Sequence, residues 1–539
     1  MFGNPGTVEQ GFLDALQDYP QMKYILALQE SVALLMGDGY ARATRKPTLV
    51  QIHSTPGLGN TVGAMYQAMR GHAPLVIIGG DAGVKYMPME AQMFGDLVAF
   101  AKPVTKWSTM VLDSHSLLRT LRRAIKLAAT PPMGPVYICL PADVLDMPMV
   151  EEVIPTFIPS TRVLPEDRLI KDAVAVLAGA QRPMIFMGDG VAYSGATDEL
   201  TQVAEMLGAE IWGVDAGELN VSYAHPLYRG QTGHMFGEDS YPITSKGDVN
   251  LVVGTYMLPE VFPRLTDIYA PGAKVIHIDL NADHIAKNHR VDIGVVSDPK
   301  LTLSKLAESL AKVMTPAQKK AASLRTQVLG AEKEQKTRSQ LEKDRKVRDE
   351  MPLHASRFME ELGAALPEDV IIFDEALTSS SEVTRYMPPK KPGAYFQTRG
   401  GSLGIGIPGA LGLKLLHPEK TVVGFSGDGG SMYTIQALWT AAHHQIGAKF
   451  IICNNQNYML LKLNVLQYWR DQVKLPERGF PEPFSLNNPV IDFAGLAQAL
   501  GVPGVKVEKP EQIGPAIQQM LTTEGPFLID LVISDRVPG

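Results

Sequence analysis

Short apolar runs alternate with stretches of helical periodicity along almost the whole chain, and this alternation constrains the fold more than any other feature. The first group contains KYILAL (23–28), a helical stretch from Glu30 to about Lys46, and PTLVQIHS (47–54). The loop TPGLGN, a helical NTVGAMYQAMRGH (60–72), PLVIIGG (74–80) and GPVYICLPADVL (134–145) complete it. Continuous apolar strands joined by helices call for a parallel sheet buried on both faces. The rhythm resumes with RPMIFMGDG, AEIWGV, VNLVVGT and AKVIHIDL, and again with DVIIFDE, TVVGFSGDGG, AKFIICNNQN and PFLIDLVI. FIPSTRVLPED (157–167) reads as a Pro-bearing linker, and the charge-dense segment 316–350 as a solvated helical connector. The expected fold class is α/β, with three tandem domains of central parallel sheets flanked by helices. They cover 1–156, 165–315 and 351–539, with the connector at 316–350.

The most informative stretch is 421–455. TVVGFS reads as a strand, GDGG (427–430) as a tight turn and SMYTIQALWTAAHH (431–444) as a helix, C-capped near Gly447. AKFIIC (448–453) is the next strand, and Asn454 and Asn455 follow at once. A right-handed crossover makes the two strands parallel, so Asp428 and Asn455 emerge at neighbouring carboxyl ends, where open α/β sheets bind ligands. An Asp carboxylate and an Asn carbonyl are hard oxygen donors suited to Mg²⁺, which shares its shell with phosphate oxygens. Gly427, Gly429 and Gly430 permit close backbone approach, and the helix opening at Ser431 offers its N-terminus to an anion. This is the pattern of a metal-bound diphosphate site. A second GDG, Gly188–Asp189–Gly190, lacks the following Asn pair, and GDGVAYSG does not fit GxGxxG. It reads as a structural turn.

Charge and cysteine content exclude several other classes. Lys plus Arg is 50 and Asp plus Glu 57, a net charge of −7 with no basic cluster, so no nucleic-acid footprint exists. Cys139 and Cys453 sit in apolar runs and read as buried free thiols of a reducing compartment. Neither a signal peptide nor an apolar stretch of about 20 residues is visible. A cytoplasmic, membrane-free protein is expected.

The GDG of 427–429 and the NN of 454–455 are separated by residues 430–453, and this spacing resembles the signature of thiamine-diphosphate-dependent enzymes. The three-unit layout is similar to that family's pyrimidine-binding, middle and diphosphate-binding domains. The resemblance implies thiamine diphosphate and Mg²⁺ as cofactors, with the metal held by Asp428, Asn455 and the backbone carbonyl of Asn457. Glu30, in YILALQE, matches the activating glutamate, whose shielded carboxyl shares a proton with the pyrimidine ring. Leu403, in GGSLGIGIPGALG (400–412), matches the apolar wedge that bends the cofactor, with Gly401 at the pyrimidine. Thr378, Gly427, Gly429, Gly430, Ser431, Tyr433, Asn455 and Tyr458 complete the implied cofactor set.

His53 in QIHSTPGLGN, Thr7 in NPGTVE (4–9) and the segment LWTAAHH resemble the benzoylformate decarboxylase branch of the acetolactate synthase and pyruvate decarboxylase superfamily. That implies proton transfer or carboxylate binding by His53, with Thr7 beside the substrate. His443 and His444 read as helix packing. The match fails in two places. VGTYMLPEVFP (253–263) lacks the branch's middle-domain histidine, and Asn464 stands where an aromatic is usual. Leu377, Met459, Leu460 and Leu461 give a largely apolar pocket with a changed acid–base set. The chain opens at MFGNPG without the helix usually found before it, which implies an alternative start or a trimmed edge.

The expected activity is a non-oxidative 2-oxo-acid decarboxylase with carboligase ability, acting on small 2-oxo acids or aldehydes. A synthase or lyase of 2-hydroxy ketones is the alternative, and a non-catalytic scaffold a more distant one. The resemblance implies a homo-oligomer, a dimer of active-site-sharing subunits assembled to a tetramer.

Overall fold

The computed structural model describes residues 1–476 and 478–536. Residues 1–159, 348–383 and 398 onward cluster in one compact unit, and residues 160–347 with 384–397 in another. The first unit holds two parallel sheets. One has the spatial order Ile25–Leu26, Phe2–Gly3, Thr48–Ile52, Leu75–Asp81, Val136–Pro141 and Trp107–Met110. In the other, Ile371–Glu375, Val422–Gly427, Lys449–Asn454, Phe527–Val532 and Gly504–Val507 lie side by side. The central strands are almost wholly buried, as their unbroken apolar runs require.

The two sheets' helices meet where Glu30–Thr44 crosses Gly406–Leu416. A Cβ on Gly39 would lie 2.4 Å from the Gly409 carbonyl oxygen, and one on Gly412 2.2 Å from that of Met36. Glycine at these positions lets the two backbones touch.

In the second unit the strands run Ile293–Val296, Lys274–Asp279, Val249–Val253, Pro183–Met187, Glu210–Gly213 and Tyr228–Gln231. The charge-rich segment is a helix, Pro316–Lys346, opened by a Thr315–Gln318 capping box. It is mostly exposed, but its long cations tether it. Arg325 donates to the Leu207 carbonyl, and Lys333 to those of Tyr223 and His225. Its buried Asp344 accepts from Arg385 and Tyr386. Asp189 of the second GDG is likewise consumed by structure, accepting N–H from Gly217 and Glu218 and the Asn220 amide at 3.0–3.1 Å.

Three element boundaries differ from the sequence expectation. TPGLGN is no loop: the helix begins at Ser54 and runs to Arg70, since Pro56 is tolerated in a first turn. The expected helix 431–444 is split into Asp428–Ser431 and Ala437–His443 by a run of turns. It ends on Gln445 at φ 52° rather than at Gly447. Among the described residues no helix is long and apolar enough to cross a membrane, and Cys139 and Cys453 are buried free thiols.

Candidate active site

The Asp428 cluster forms because Val422–Gly427 and Lys449–Asn454 are adjacent and parallel, with Gly427 opposite Cys453. Asp428 and Asn455 therefore leave the sheet side by side. Asp428 is 4% exposed; its Oδ1 accepts the Gly429 N–H at 2.7 Å, while Oδ2 is buried with no hydrogen-bond partner among the described residues. Burial raises its pKa to about 6, against the pull of backbone N–H groups of Gly429, Gln456, Asn457 and Asn455. Asn455 and Asn457 are locked reciprocally. The Asn455 Oδ1 accepts the Asn457 N–H at 3.0 Å, and the Asn457 amide donates to the Asn455 carbonyl at 2.9 Å. The Asn457 carbonyl takes the Met459 N–H and keeps one lone pair. The Asp428 carboxylate and the Asn455 and Asn457 oxygens are hard donors of the kind that could hold Mg²⁺.

The turn around Asp428 is open where a diphosphate would have to approach. A Cβ on Gly427 would meet nothing within 4 Å, and one on Gly429 would strike the Tyr458 ring at 2.4 Å. Gly430 and Ser431 are buried, and the Ser431 hydroxyl donates back to the Asp428 carbonyl. Tyr433 is exposed. Gly401 (φ 74°) and the half-buried Leu403 lie on the loop before helix Gly406–Leu416. Leu377 (φ 51°) and Thr378 open the 3₁₀ turn that follows strand Ile371–Glu375. A positive φ on a leucine is strained. Of the expected pocket residues, Met459 is buried, Leu460 half-buried and Leu461 exposed.

A second group gathers around the first turns of helix Ser54–Arg70. Glu30 is buried at the start of its helix, capped by the Gln29 side chain, which accepts from Ser31 and Val32 N–H. Asn60 donates to the Glu30 Oε2 at 3.0 Å, and a Cβ on Gly57 would lie 2.9 Å from Oε1. His53 follows strand Thr48–Ile52 and is the N-cap residue of helix Ser54–Arg70. Its Nδ1 lies 3.0 Å from Oε2 of the buried Glu9, whose Oε1 accepts the Gly80 N–H at 2.8 Å. Burial raises the Glu9 pKa, and the His53 contact opposes that rise. Thr7 is exposed on the 3₁₀ turn that carries Glu9, and Gly6 presses on the imidazole, where a Cβ would meet Nδ1.

Two residues that no sequence pattern singled out enter here, Glu9 and Asn60. Glu9 lay inside the quoted NPGTVE, and its signal was an acid within a motif otherwise read for its threonine. Neither Glu30 nor His53 touches the Asp428 cluster among the described residues. His443 stacks on Trp439, and the His444 Nε2 accepts the Leu26 N–H at 2.8 Å, joining the Ala437–His443 helix to the first sheet.

Comparison with known proteins matches residues 1–100 to the thiamine pyrophosphate enzyme N-terminal TPP binding domain. Residues 170–306 match the central domain and 378–531 the C-terminal TPP binding domain. The chain belongs to the thiamine-diphosphate-dependent enzymes. Within that family it is similar to a benzoylformate decarboxylase of Pseudomonas aeruginosa, 28% identical over 98% of this chain and 95% of the relative. It is equally similar to a probable acetolactate synthase large subunit of Methanococcus aeolicus, 28% identical over 99% and 89%. Among solved structures, the thiamine diphosphate-dependent 4-hydroxybenzoylformate decarboxylase of Rhodococcus jostii RHA1 matches with a TM-score of 0.84. It is 26% identical and covers 100% of this chain and 96% of that one. This thiamine-diphosphate-dependent enzyme thus carries its family's full three-domain complement, and its Asp428 turn lies in the C-terminal TPP binding domain.

Proposed function

We propose that the chain is a Mg²⁺-requiring, non-oxidative 2-oxo-acid decarboxylase with carboligase ability, working in the cytoplasm on small 2-oxo acids or aldehydes. The observation that carries this reading is the contrast between two GDG turns. Asp189 is bonded by the Gly217 and Glu218 N–H groups and the Asn220 amide, whereas Asp428 keeps one buried oxygen without a hydrogen-bond partner among the described residues, beside two asparagines. Asp428, Asn455 and the Asn457 carbonyl would hold the metal, and the Gly427–Ser431 turn with Thr378 and Tyr458 the diphosphate. Bound thiamine diphosphate supplies the carbanion chemistry and the electron sink for loss of CO₂.

The residues around it bind, orient and move protons. Leu403 and Gly401 orient the thiazolium and pyrimidine rings. Glu30, held by Asn60, keeps a proton at the pyrimidine. Glu9 sits on the Nδ1 of His53, which would leave Nε2 to take or deliver a proton near the substrate. Thr7 borders the same corner, and Leu377, Met459, Leu460 and Leu461 shape an apolar pocket. The family resemblance supports a dimer in which Glu30 of one copy serves the cofactor held by the other, two dimers forming a tetramer.

Similarity to acetolactate synthases favours a second reading, acyloin synthesis or cleavage at the same site. The deciding experiment is a screen for CO₂ release from aliphatic, branched and aromatic 2-oxo acids, run beside acyloin cleavage. Release that needs both Mg²⁺ and thiamine diphosphate supports the decarboxylase. Acyloin cleavage with no CO₂ from any acid overturns it in favour of the lyase.

A further inference from the structure

Glu375 closes strand Ile371–Glu375 and is completely buried, a costly place for a carboxylate unless it is fully bonded. Its Oε1 accepts the Gly404 N–H at 2.7 Å and the Ile405 N–H at 3.3 Å. Its Oε2 accepts the Gly406 N–H at 2.9 Å and the Ser426 hydroxyl at 3.2 Å. Three successive backbone N–H groups converging on one anion form a nest, here at the N-terminus of helix Gly406–Leu416. A nest of this kind fixes the backbone that makes it.

The chain around the nest has no slack. Gly404 has φ 101°, and its carbonyl accepts the Thr434 hydroxyl. A Cβ on Gly404 would lie 2.8 Å from that of Tyr433, and one on Gly406 2.3 Å from the Phe425 carbonyl oxygen. Leu403 is joined directly to this clamped segment, and Gly401 lies two residues further back. Burial raises the Glu375 pKa to about 7, and the four donors oppose that rise.

We propose that Glu375 is a positioning residue for the cofactor, acting through the Gly404–Gly406 nest to set where Leu403 and Gly401 meet the two rings. This rests on the thiamine diphosphate reading of the same site. Simple helix capping would need only a stabilising contact at Gly406. The bonds to Gly404 and Ile405 lie upstream of the helix, on the side that carries Leu403.

The test is Glu375→Gln. Its amide would turn N–H toward the Gly406 N–H and leave that donor unpaired. Isothermal titration with thiamine diphosphate at fixed Mg²⁺ is expected to show affinity at least about tenfold weaker than wild type. Substrate KM should be unchanged while kcat falls, and Glu375→Asp, which keeps the charge, should recover part of the affinity. Thr434→Val releases the opposite side of Gly404 and decides the matter if Glu375→Gln does not fold; two- to fivefold weakening is expected. Affinity within twofold of wild type in the folded Glu375→Gln variant, or in Thr434→Val where that variant replaces it, overturns the proposal. Failure of wild-type protein to bind thiamine diphosphate would instead overturn the underlying reading.

Discussion

His53 and Glu9 form a hydrogen-bonded pair at the carboxyl end of the first sheet, with Nδ1 3.0 Å from Oε2. The Gly80 N–H fixes the other carboxylate oxygen, and Gly6 packs on the ring. A carboxylate on Nδ1 favours the tautomer with the proton there, leaving the lone pair on Nε2. Glu9→Gln keeps the shape but removes that preference, so kcat is expected to fall about 10- to 100-fold. Thiamine diphosphate affinity should stay within twofold. Unchanged kcat across the pH range would remove His53 from proton transfer.

Among the described residues, Asn60 donates a side-chain hydrogen bond to the Glu30 carboxylate. Glu30→Ala is expected to cost about 10²–10⁴-fold in turnover on every accepted substrate. Asn60→Ala should cost less, since it loosens the carboxyl without deleting it. Near-full turnover in Glu30→Ala would refute the activating role.

Asp428 predicts an inverted stability effect. Its folded pKa, about 6, exceeds the ordinary value of 3.8. The folded state therefore holds the proton longer, and the associated stability is present at low pH and lost as pH rises through about 6. The shift corresponds to about 3 kcal/mol between the limits. About half of this falls between pH 5 and pH 8, so metal-free protein is expected to melt a degree or two lower at pH 8 than at pH 5 (calorimetry), and Glu375 adds a contribution of the same sign. Asp428→Asn should flatten part of that slope and abolish the Tm gain from Mg²⁺ with thiamine diphosphate. An Asp428→Asn protein that retains the gain would exclude Asp428 as a metal ligand.

Much of the architecture was legible because burial on both faces leaves a direct mark: the central strands are runs of mostly apolar residues. The Asp428–Asn455 juxtaposition followed from strand order and one crossover rule. The contacts that finish the site were not legible. Glu9 meets His53 across 44 positions and Glu375 meets Gly406 across 31, pairings fixed only by tertiary packing. Helix ends failed for local reasons. TPGLGN looked like a loop because Pro and Gly break helices in the interior, yet Pro56 sits in the first turn, where its missing N–H costs nothing.

The contact of helices Glu30–Thr44 and Gly406–Leu416 provides a stability test with an internal control. Alanine is the better helix former by about 1 kcal/mol, so propensity alone favours any Gly→Ala change in a helix interior. At Gly39 the new methyl would sit 2.4 Å from the Gly409 carbonyl oxygen, backbone that cannot yield without separating the helices. Overpacking of that kind costs about 1–3 kcal/mol, so Gly39→Ala is expected to be net destabilising. Gly514 lies exposed in helix Pro510–Thr522, where the nearest atom to a Cβ is the Glu361 carboxylate at 3.9 Å. Gly514→Ala should therefore stabilise by about 0.4–1 kcal/mol. Urea denaturation of both variants checks the pair: if Gly39→Ala is as stable as wild type, the glycine contact does not hold the two helices together.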